Sequence, residues 1–428
     1  MSEPLRLGIA GLGTVGVGVV KIVRQKANVL AARTGRPVVI TAVSARSRDK
    51  DRGVNLSDYA WEDDPVALAK RDDVDVFVEL MGGHEGPAKE ATEAAIAAGK
   101  DVVTANKALL AHHGQALSET AEAAGQVIRF EAAVAGGIPV IKALTEGLAG
   151  NDITRVMGVM NGTCNYILTR MQSAGLPYDE VFEEANQLGY LEADPTLDVG
   201  GIDAGHKLAL LASIAFGTRV DFDAVELEGI QRITIEDIHQ AADMGYRIKL
   251  LGVSQMTGRG LEQRMSPCLV PDDSPLGQLE GGTNMVVLEG DAVGQIVLRG
   301  AGAGEGPTAS AVMGDVMDIA RGLRIATFGQ PSHTLEQAKP AKSATAAPYY
   351  LRMELLDKPG ALAKIAAVMG EAGISIDRMR QYSHADETAP VLFVTHKTTR
   401  DALDHALKGF DATGVLASPP VSIRIEAV

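Results

Sequence analysis

The most constraining feature of the chain is a glycine motif close to its N-terminus. Gly11-Leu12-Gly13-Thr14-Val15-Gly16 has the spacing G-x-G-x-x-G and directly follows a strand-like segment, Leu5–Ala10, at the start of a helical stretch. In this context the first glycine permits a tight turn, the second lets a pyrophosphate approach the helix N-terminus, and the third allows close helix–strand packing. The alternative is a glycine-rich turn that binds nothing. The motif predicts a dinucleotide site that includes Gly11, Gly13, Thr14, Val15 and Gly16.

Apolar runs and helical stretches alternate along the first third of the chain. Alanine-rich stretches such as 88–98 separate short apolar segments at 5–10, 38–43, 74–80 and 102–104. Short apolar strands that alternate with helices form a parallel sheet buried on both faces. Residues 1–142 are therefore predicted to form an NAD(P)-binding Rossmann domain with a doubly wound parallel sheet.

The middle of the chain mixes helical and strand patterns. Residues 143–328 surround a glycine- and aspartate-rich loop at 189–205, which favours an α+β domain for catalysis and dimerisation. We expect the last part of this domain to return to the nucleotide domain. Residues 329–347 are rich in breakers and poor in large apolar side chains, so they are predicted to be a linker.

Residues 348–428 have a complete pattern of their own. Helices are predicted at 361–371 and 400–408, and strands at 349–355, 374–379, 391–396 and 421–426. The resulting order, βαββαβ, is that of the ferredoxin-like fold. The sequence thus predicts a small third domain at the C-terminal end.

Charge and cysteine content exclude several classes of protein. The 40 lysine and arginine residues against 55 aspartate and glutamate residues give a net charge of −15, which opposes binding to nucleic acid or anionic lipid. Only Cys164 and Cys268 are present, which is neither a disulfide framework nor a metal-ligand cluster. No run approaches the ~18 apolar residues of a membrane span. We expect a cytoplasmic protein without nucleic-acid or membrane partners.

The segment after the second predicted strand bears on cofactor choice. An acidic side chain at this point would bind the ribose 2′-hydroxyl of NAD, but the sequence has Ser44-Ala45-Arg46-Ser47-Arg48. Guanidinium groups engage phosphate oxygens in bidentate pairs, so Arg46 and Arg48 favour the 2′-phosphate of NADP, with NAD possible. The alternative is that both arginines are solvated surface charges.

A loop in the middle domain combines acids with a lysine. Asp198, Asp203 and Lys207 surround glycines that open into the apolar helix at 208–215. Hydride addition to an aldehyde puts negative charge on oxygen, which a lysine can neutralise by giving a proton. The alternative is an acidic turn that only caps the helix. Taken alone, the loop leaves both interpretations open.

Four stretches together resemble the homoserine dehydrogenase family, and they occur in that family's order. They are AGKDVVTANK at 98–107, EAAVAGGIP at 131–139, NGTCNY at 161–166 and GYLEADP at 189–195. With the glycine turn before them and residues 300–310 behind, the similarity covers about three quarters of the chain. The resemblance implies NAD(P)H-dependent reduction of L-aspartate 4-semialdehyde to L-homoserine, in threonine, methionine and isoleucine biosynthesis.

The resemblance also implies roles for individual residues. Lys207 would be the proton donor, and Lys107, after a predicted strand, would be a lysine on the cofactor side; the sequence does not apportion proton donation between them. The substrate would be bound by Glu192, Asp203 and Gly189, with Asp198 in support. Separately from the resemblance, the glycine-rich run at 300–310 precedes a predicted helix, so its amides could contact the nicotinamide or the pyrophosphate, and Gly302 is the candidate for this contact. The alternative is a glycine-rich loop that binds nothing.

A monovalent cation, expected to be sodium, completes the family pattern. By resemblance its ligands would be Glu131 and the backbone oxygens of Val134, Gly136 and Ile138. A carboxylate with backbone carbonyls suits a hard cation better than a transition metal. From spacing alone, a local turn in which Glu131 pairs with its neighbours is preferred.

The C-terminal domain resembles the ACT domain through LDKPGAL at 356–362 and GISI at 373–376. The resemblance implies an amino-acid effector, with L-threonine expected and Asp357, Gly360 and Ala361 as candidate contacts. The alternative is a domain that only mediates dimerisation. A homodimer or homotetramer is expected.

Two rival functions differ in what they require of the loop at 192–207. A Rossmann oxidoreductase for another aspartate-derived metabolite would lack this constellation, and a catalytically silent NADP-binding regulator would have lost Glu192 or Lys207. Both residues are present. Because the first Rossmann strand begins at Leu5, we expect no kinase domain ahead of it, so a monofunctional dehydrogenase is the favoured interpretation.

Overall fold

The computed structural model describes residues 3–191, 194–341, 344–381 and 387–428. Six strands form its N-terminal sheet: β1 (Leu5–Ala10), β2 (Val38–Ser44), β3 (Ala60–Glu62), β4 (Val76–Glu79), β5 (Asp101–Thr104) and β6 (Ile128–Arg129). They are parallel and lie in the order β3-β2-β1-β4-β5-β6. The order reverses between β1 and β4, which is where doubly wound sheets bind nucleotides. The predicted Rossmann fold is confirmed.

Helices cover the two faces of this sheet, because its apolar strands must be buried on both sides. They begin with α1 (Thr14–Thr34), α2 (Pro65–Ala69), α3 (Pro87–Ala97) and α4 (Lys107–Ala123). Strand β4 illustrates the burial, since the side chains of Val76, Phe77 and Val78 have no solvent exposure. Because β1, β4 and β5 are parallel, their carboxyl ends lie along one edge of this buried sheet.

The middle of the chain forms an antiparallel sheet with helices packed on it. Its strands are β7 (Ile153–Val159), β8 (Glu226–Leu227), β9 (Tyr246–Thr257), β10 (Gly260–Pro271), β11 (Thr283–Gly290) and β12 (Gly294–Ala301). The order is β12-β11-β7-β9-β10, and β8 pairs in parallel with β10. Its helices are α5 (Val140–Lys142), α6 (Gly162–Ala174), α7 (Tyr178–Gln187), α8 (Thr196–Val199), α9 (Ile202–Phe216) and α10 (Ile235–Asp243). Leu208 and Leu211 of α9 share a buried core with Leu250 and Met265 of the sheet.

The chain then returns to the nucleotide-binding part through α11 (Glu305–Ala320), which packs against α1. A Cβ atom at Gly18 of α1 would lie 2.8 Å from the Glu305 carbonyl oxygen, so glycine lets the two helices approach closely. Lys21 of α1 also pairs with the Glu305 carboxylate at 2.7 Å. This contact places the start of α11 beside the start of α1.

The C-terminal elements follow the predicted βαββαβ order. They are β13 (Tyr349–Leu356), α12 (Ala361–Glu371), β14 (Ile376–Gln381), β15 (Thr388–Thr395), α13 (Arg400–Ala412) and β16 (Val421–Ile425). Strand β16 pairs with β13 on one side and with β10 on the other, so one ten-stranded sheet joins this domain to the middle domain. Buried Glu426 strengthens the junction by pairing with Arg155 of β7 at 2.5 Å and with Arg264 and Arg424.

The segment at 329–347, predicted as a linker, runs along the middle domain. The amide of Arg219 donates to the carbonyl of Glu336, and that of Leu261 donates to the carbonyl of Lys339. Its predicted limits, like the other domain boundaries, stay predictions. Among the described residues, no helix is both long and apolar enough to span a membrane.

Candidate active site

A cavity of about 710 Å³ lies at the carboxyl edge of the parallel sheet, between the starts of α1, α4, α6 and α11. Residues of the nucleotide-binding part form one side: Thr14, Val15, Ala105, Lys107, Ala132, Ala133 and Val134. Residues of the middle domain and the start of α11 form the rest: Asn161, Gly162, Thr163, Gly189, Tyr190, Asp198, Asp203, Lys207, Gly282, Asn284, Gly302, Ala303, Gly304 and Thr308. Nine of the sequence-predicted site residues therefore meet in one place: Thr14, Val15, Lys107, Val134, Gly189, Asp198, Asp203, Lys207 and Gly302.

The three glycines of the N-terminal motif have different surroundings. Gly11 has φ +100°, and a Cβ atom there would lie 2.4 Å from the Leu80 carbonyl oxygen. A Cβ atom at Gly16 would lie 2.1 Å from the Gly11 oxygen. At Gly13, by contrast, a Cβ atom would meet no described atom within 4 Å. Gly11 and Gly16 are thus required by the turn itself, whereas Gly13 leaves open space at the N-terminus of α1.

Two lysines converge on one carboxylate. Lys207 Nζ lies 2.6 Å from Asp203 Oδ2, Lys107 Nζ lies 2.8 Å from Asp203 Oδ1, and Lys207 also donates to the Met160 carbonyl at 2.9 Å. Burial opposes ionisation of Asp203, but the charges of Lys207 and Lys107 outweigh it and hold the pKa of that carboxyl well below its usual range. Because Lys107 begins α4 and Asp203 lies on α9, this clamp connects the two domains that enclose the cavity.

A buried network sets the position of Lys107. The side chain of Asn106 caps α4 by accepting from the Leu109 amide, and it donates to the Gly83 carbonyl at 2.6 Å. The backbone N–H of Asn106 donates to Thr104 Oγ1. The Thr104 hydroxyl in turn donates to Glu79 Oε2 at 2.6 Å. Burial raises the pKa of Glu79, which also accepts from the Met81 amide. Sequence reasoning missed Glu79, although an acid that closes an apolar strand was a usable signal.

The substrate side of the cavity is built around the start of α6. Asn161 caps this helix at the Cys164 amide and donates to Asp198 Oδ1 at 3.0 Å. Cys164 is fully buried, burial raises the pKa of its thiol, and Sγ donates to the Asp198 carbonyl, so this side chain packs against the substrate side of the cavity. Gly189, with φ +74°, lines the cavity beside Tyr190. Glu192, a predicted substrate ligand, lies outside the described residues.

The arginines predicted to select the cofactor lie in the loop after β2 and do not line the cavity. Arg46 and Arg48 are exposed, and the Arg48 guanidinium lies 5.9 Å from the centre of the Trp61 ring. A third arginine, Arg52, lies 5.6 Å from the same ring and donates to the Leu12 carbonyl in the glycine turn at 3.2 Å. Sequence reasoning missed Arg52, which connects this loop to the dinucleotide motif.

The predicted cation ligands surround an irregular turn behind the cavity. Glu131 is buried, and its carboxylate accepts from the amides of Ile141 and Lys142 at 2.9 and 2.8 Å. Burial and the charge of Asp315 raise the pKa of Glu131 to about 7. The Ile138 carbonyl accepts from Val140. Val134 lines the cavity. Gly136 has a φ of +57°, and a Cβ atom there would clash with the Gly302 carbonyl oxygen. No three His, Cys, Asp or Glu residues of the described part form a metal-binding group.

A second cavity, of about 490 Å³, lies in the C-terminal domain. Asp357, Gly360 and Ala361 line it, together with Gln381 at the end of β14. Gly360 has φ +85° and caps the N-terminus of α12. The three predicted effector contacts thus line one pocket, which lies between the loop after β13 and the edge strand β14.

Comparison with known proteins matches the three parts of the chain separately. Family models match residues 11–131 (Homoserine dehydrogenase, NAD binding domain), 139–317 (Homoserine dehydrogenase) and 349–408 (ACT domain). The homoserine dehydrogenase of Neisseria gonorrhoeae is 43% identical over 434 residues, covering 100% of this chain and 99% of the relative. That of Pseudomonas aeruginosa is 41% identical, with 99% of each chain covered.

Solved structures give the same result. The crystal structure of a homoserine dehydrogenase from Thiobacillus denitrificans has a TM-score of 0.94 and 39% identity, covering 100% of this chain and 99% of that one. A hyperthermophilic archaeal homoserine dehydrogenase in complex with NADPH has a TM-score of 0.63 and 28% identity, covering 74% of this chain and 97% of that one.

Together the fold and the cavity define an NAD(P)-dependent oxidoreductase that acts on a CH–OH group. More narrowly, the chain belongs to the homoserine dehydrogenase family and carries a C-terminal ACT domain.

The contrast between Gly13 and Gly11 gives a first prediction. We expect Gly13→Ala to fold normally, because its Cβ meets open space, but to raise the KM for the cofactor by about tenfold or more, equivalent to ~1.4 kcal/mol. Gly11→Ala instead forces a positive φ and a backbone clash, and it should lower the free energy of unfolding by about 1–3 kcal/mol. Urea unfolding and cofactor KM measured on both variants check this. Equal loss of stability in the two would contradict it.

Proposed function

We propose that the enzyme reduces L-aspartate 4-semialdehyde to L-homoserine, as a step in the biosynthesis of threonine, methionine and isoleucine. The pairing of Asp203 with Lys107 and Lys207 carries the proposal. It holds two ammonium groups in a cavity that is also lined by the start of α1, the helix that follows the glycine motif. A reaction that puts negative charge on a carbonyl oxygen requires such a fixed positive charge, with a proton to give.

Each residue of the site has a separate role in this reaction. When bound, NADPH would supply the hydride that is added to the aldehyde carbon. Lys207, anchored by Asp203 and the Met160 carbonyl, gives a proton to the oxygen that becomes the hydroxyl group. Lys107 provides a second positive charge on the cofactor side of the same carboxylate. Asp198 is fixed by Asn161 and supports the substrate wall, where Gly189 would bind the amino-acid part. Glu192 would share this role, as the family resemblance implies.

We propose NADP(H) rather than NAD(H) as the preferred cofactor. No acidic residue follows β2 in the position that would bind a ribose 2′-hydroxyl, and Arg46, Arg48 and Arg52 are present in that loop. Arg52 contacts the glycine turn directly through the Leu12 carbonyl, so the loop is held beside the site. The NADPH complex of the archaeal relative supports the same choice.

The test is oxidation of reduced cofactor, followed at 340 nm in the presence of aspartate 4-semialdehyde. We expect oxidation that depends on the semialdehyde, a product identified as L-homoserine, and a higher kcat/KM with NADPH than with NADH. Turnover of a different aldehyde with no turnover of the semialdehyde would overturn the substrate assignment. A preference for NADH would overturn the role of the three arginines.

We propose a structural sodium ion bound by Glu131 and the carbonyl oxygens of Val134, Gly136 and Ile138. The surroundings support it, because Glu131 and Asp315 are both buried and Asp315 accepts a hydrogen bond from the Glu131 backbone amide, so two carboxylates lie close together. A monovalent cation would offset the repulsion between their negative charges.

Sodium is accordingly expected to stabilise the protein. Replacing choline chloride by sodium chloride at equal ionic strength should raise the Tm by about 2 °C or more, because a ligand bound only by the folded state shifts the unfolding equilibrium. The increment should vanish in Glu131→Gln, with Glu93→Gln, an exposed change on α3, as the matched control. Differential scanning calorimetry measures it. An identical increment in Glu131→Gln would contradict this site.

We propose that L-threonine binds the ACT pocket and inhibits the enzyme. The pocket offers the Asp357 carboxylate for an α-ammonium group, and backbone amides at the N-terminus of α12 for a carboxylate. The shared sheet provides a physical connection, because β16 pairs with β10 and buried Glu426 reaches Arg155 on β7. Strand β7 leads to Met160, whose carbonyl holds Lys207.

The effector prediction concerns Asp357. Asp357→Asn should raise the threonine concentration for half-maximal inhibition by about tenfold, while kcat and KM without threonine stay unchanged, because a charged hydrogen bond to the ammonium group is lost. Asp411→Asn, an exposed change on α13, is the matched control. Initial rates across a threonine series measure the effect. Undiminished inhibition in Asp357→Asn would exclude this pocket.

We also propose that the chain works as a homodimer or homotetramer. The edge strands β12 and β14 of the large sheet are mostly exposed and carry Val297 and Met379 at the surface. Light scattering of the full chain gives the mass directly. A cytoplasmic location and the domain boundaries at 142, 328 and 347 stay predictions.

A further inference from the structure

One polar side chain of the active-site cavity has no role in the scheme above. Asn284 lies near the start of β11, is 1% exposed, and lines the cavity between Gly282 and Gly302. Its Oδ1 atom is buried and has no hydrogen-bond partner among the described residues. Leaving a buried amide oxygen unpaired costs free energy, so such an atom in a native site calls for an explanation.

Asn284 differs in its location from the other buried side chains that have a polar atom without a hydrogen-bond partner. Seven further buried polar atoms lack a hydrogen-bond partner in the described part of the chain, on Gln115, Glu122, Arg129, Arg155, Thr218, Ser254 and Thr327. None of those seven residues lines the cavity that contains the lysine clamp. The unpaired amide of Asn284 is therefore located where a ligand can satisfy it.

Two glycines make room for this amide. A Cβ atom at Gly302 would lie 1.9 Å from Asn284 Nδ2 and 2.2 Å from its Cγ, so the amide packs directly on the Gly302 backbone. A Cβ atom at Gly162 would lie 3.5 Å from Asn284 Oδ1. The carboxamide thus lies between the loop before α11 and the start of α6, where the cofactor side of the cavity meets the substrate side.

The chemistry of the neighbouring groups narrows the choice of ligand. Lys107, Lys207, Asp198 and Asp203 provide charges for the carbonyl oxygen and the amino-acid groups of the substrate. Asn284 is neutral and offers both a donor and an acceptor, and rotation of the amide by 180° exchanges the two. The complementary neutral group in this reaction is the carboxamide of the nicotinamide ring, which also has one donor and one acceptor side.

We propose that Asn284 binds the nicotinamide carboxamide and fixes which face of the ring is turned toward the substrate. The inference rests on the proposed binding of NADP(H) in this cavity. It makes Asn284 a cofactor-binding residue contributed by the middle domain, which the sequence motifs of the Rossmann turn do not contain. The Asn284 amide packs against the Gly302 backbone, and this contact would keep the plane of the amide fixed.

The test compares two ligands that share every group except nicotinamide. Dissociation constants of NADP⁺ and of 2′-phospho-ADP-ribose are measured by isothermal titration calorimetry for the wild type, Asn284→Leu and Asn284→Asp. We expect the NADP⁺ dissociation constant to rise about five- to tenfold in Asn284→Leu, as for the loss of one to two hydrogen bonds, with 2′-phospho-ADP-ribose unchanged. Asn284→Asp retains the shape of the side chain and one acceptor, so its NADP⁺ dissociation constant should fall between those of the wild type and Asn284→Leu. It also guards against misfolding of the leucine variant.

A ligand analogue identifies the group that Asn284 contacts. In 3-acetylpyridine adenine dinucleotide phosphate a methyl group replaces the carboxamide nitrogen, so the wild type should bind it more weakly than NADP⁺, and Asn284→Leu should bind both equally. Equal weakening of NADP⁺ and 2′-phospho-ADP-ribose, or an undiminished preference for NADP⁺ over the analogue in Asn284→Leu, would overturn the inference. A wild type that binds neither nucleotide would instead overturn the proposed cofactor.

Discussion

Lys207→Met is expected to lower kcat for semialdehyde reduction by about 10³-fold or more, with cofactor binding close to that of the wild type. The methionine keeps the length and the apolar stem of the lysine but has no proton to give and no positive charge. Lys207 is only 9% exposed, and it is held by Asp203 at 2.6 Å and by the Met160 carbonyl at 2.9 Å. Because water has little access to this ammonium group, solvent is a poor substitute for it.

The measurement is single-turnover reduction at saturating NADPH and semialdehyde, so that product release does not mask the chemical step. Lys70→Met, an exposed change at the end of α2, serves as the matched control and should retain full activity. A single-turnover rate constant above one tenth of the wild-type value in Lys207→Met would remove this residue from the proton transfer. Lys107, which shares the same carboxylate, would then be the donor to examine.

The parts of the fold that could be predicted are those that depend on local pattern. The glycine motif after β1 needs only its neighbours in sequence to form a turn, and Gly11 and Gly16 have the close contacts that the motif implies. The βαββαβ order of the C-terminal domain follows from apolar periodicity in the same way. Boundaries were less exact: the strand expected at 374–379 is β14, Ile376–Gln381. Ile374 instead closes α12, since its amide donates to the Met369 carbonyl.

The parts that could not be predicted depend on contacts between distant segments. Arg52 was overlooked because only the folded loop brings it to the Leu12 carbonyl. The pairing of β16 with β10 was unexpected, because a predicted linker separates the two domains and no local pattern records a partner strand. Asn284 has no motif at all, and its unpaired amide is visible only once Gly162 and Gly302 are next to it. Such features come from tertiary packing rather than from propensity.

Asp203→Asn is expected to have the second largest effect, lowering kcat by about 10²-fold or more. Both lysines would lose the carboxylate that orients them, while the amide keeps nearly the same volume, so the loss would reflect charge and position rather than a cavity. Lys107→Met should cost less, because it removes one ammonium group and leaves the Asp203–Lys207 pair intact. Larger loss in Lys107→Met than in Asp203→Asn would contradict this order.

The same substitution should also destabilise the fold in a pH-dependent way. Removing one partner of a buried ion pair costs about 3–5 kcal/mol when the other charge stays buried, and the Lys207 side chain is only 11% exposed. The pKa of Asp203 is lowered in the folded state, so its stabilising contribution is present above the unfolded value of ~3.9 and is lost only as the pH falls toward the folded value. Urea unfolding should therefore separate wild type from Asp203→Asn by a constant interval between pH 5 and pH 8, and by less below pH 4. An interval that disappeared as the pH rose would mean that the lysines, rather than the carboxylate, hold the clamp together.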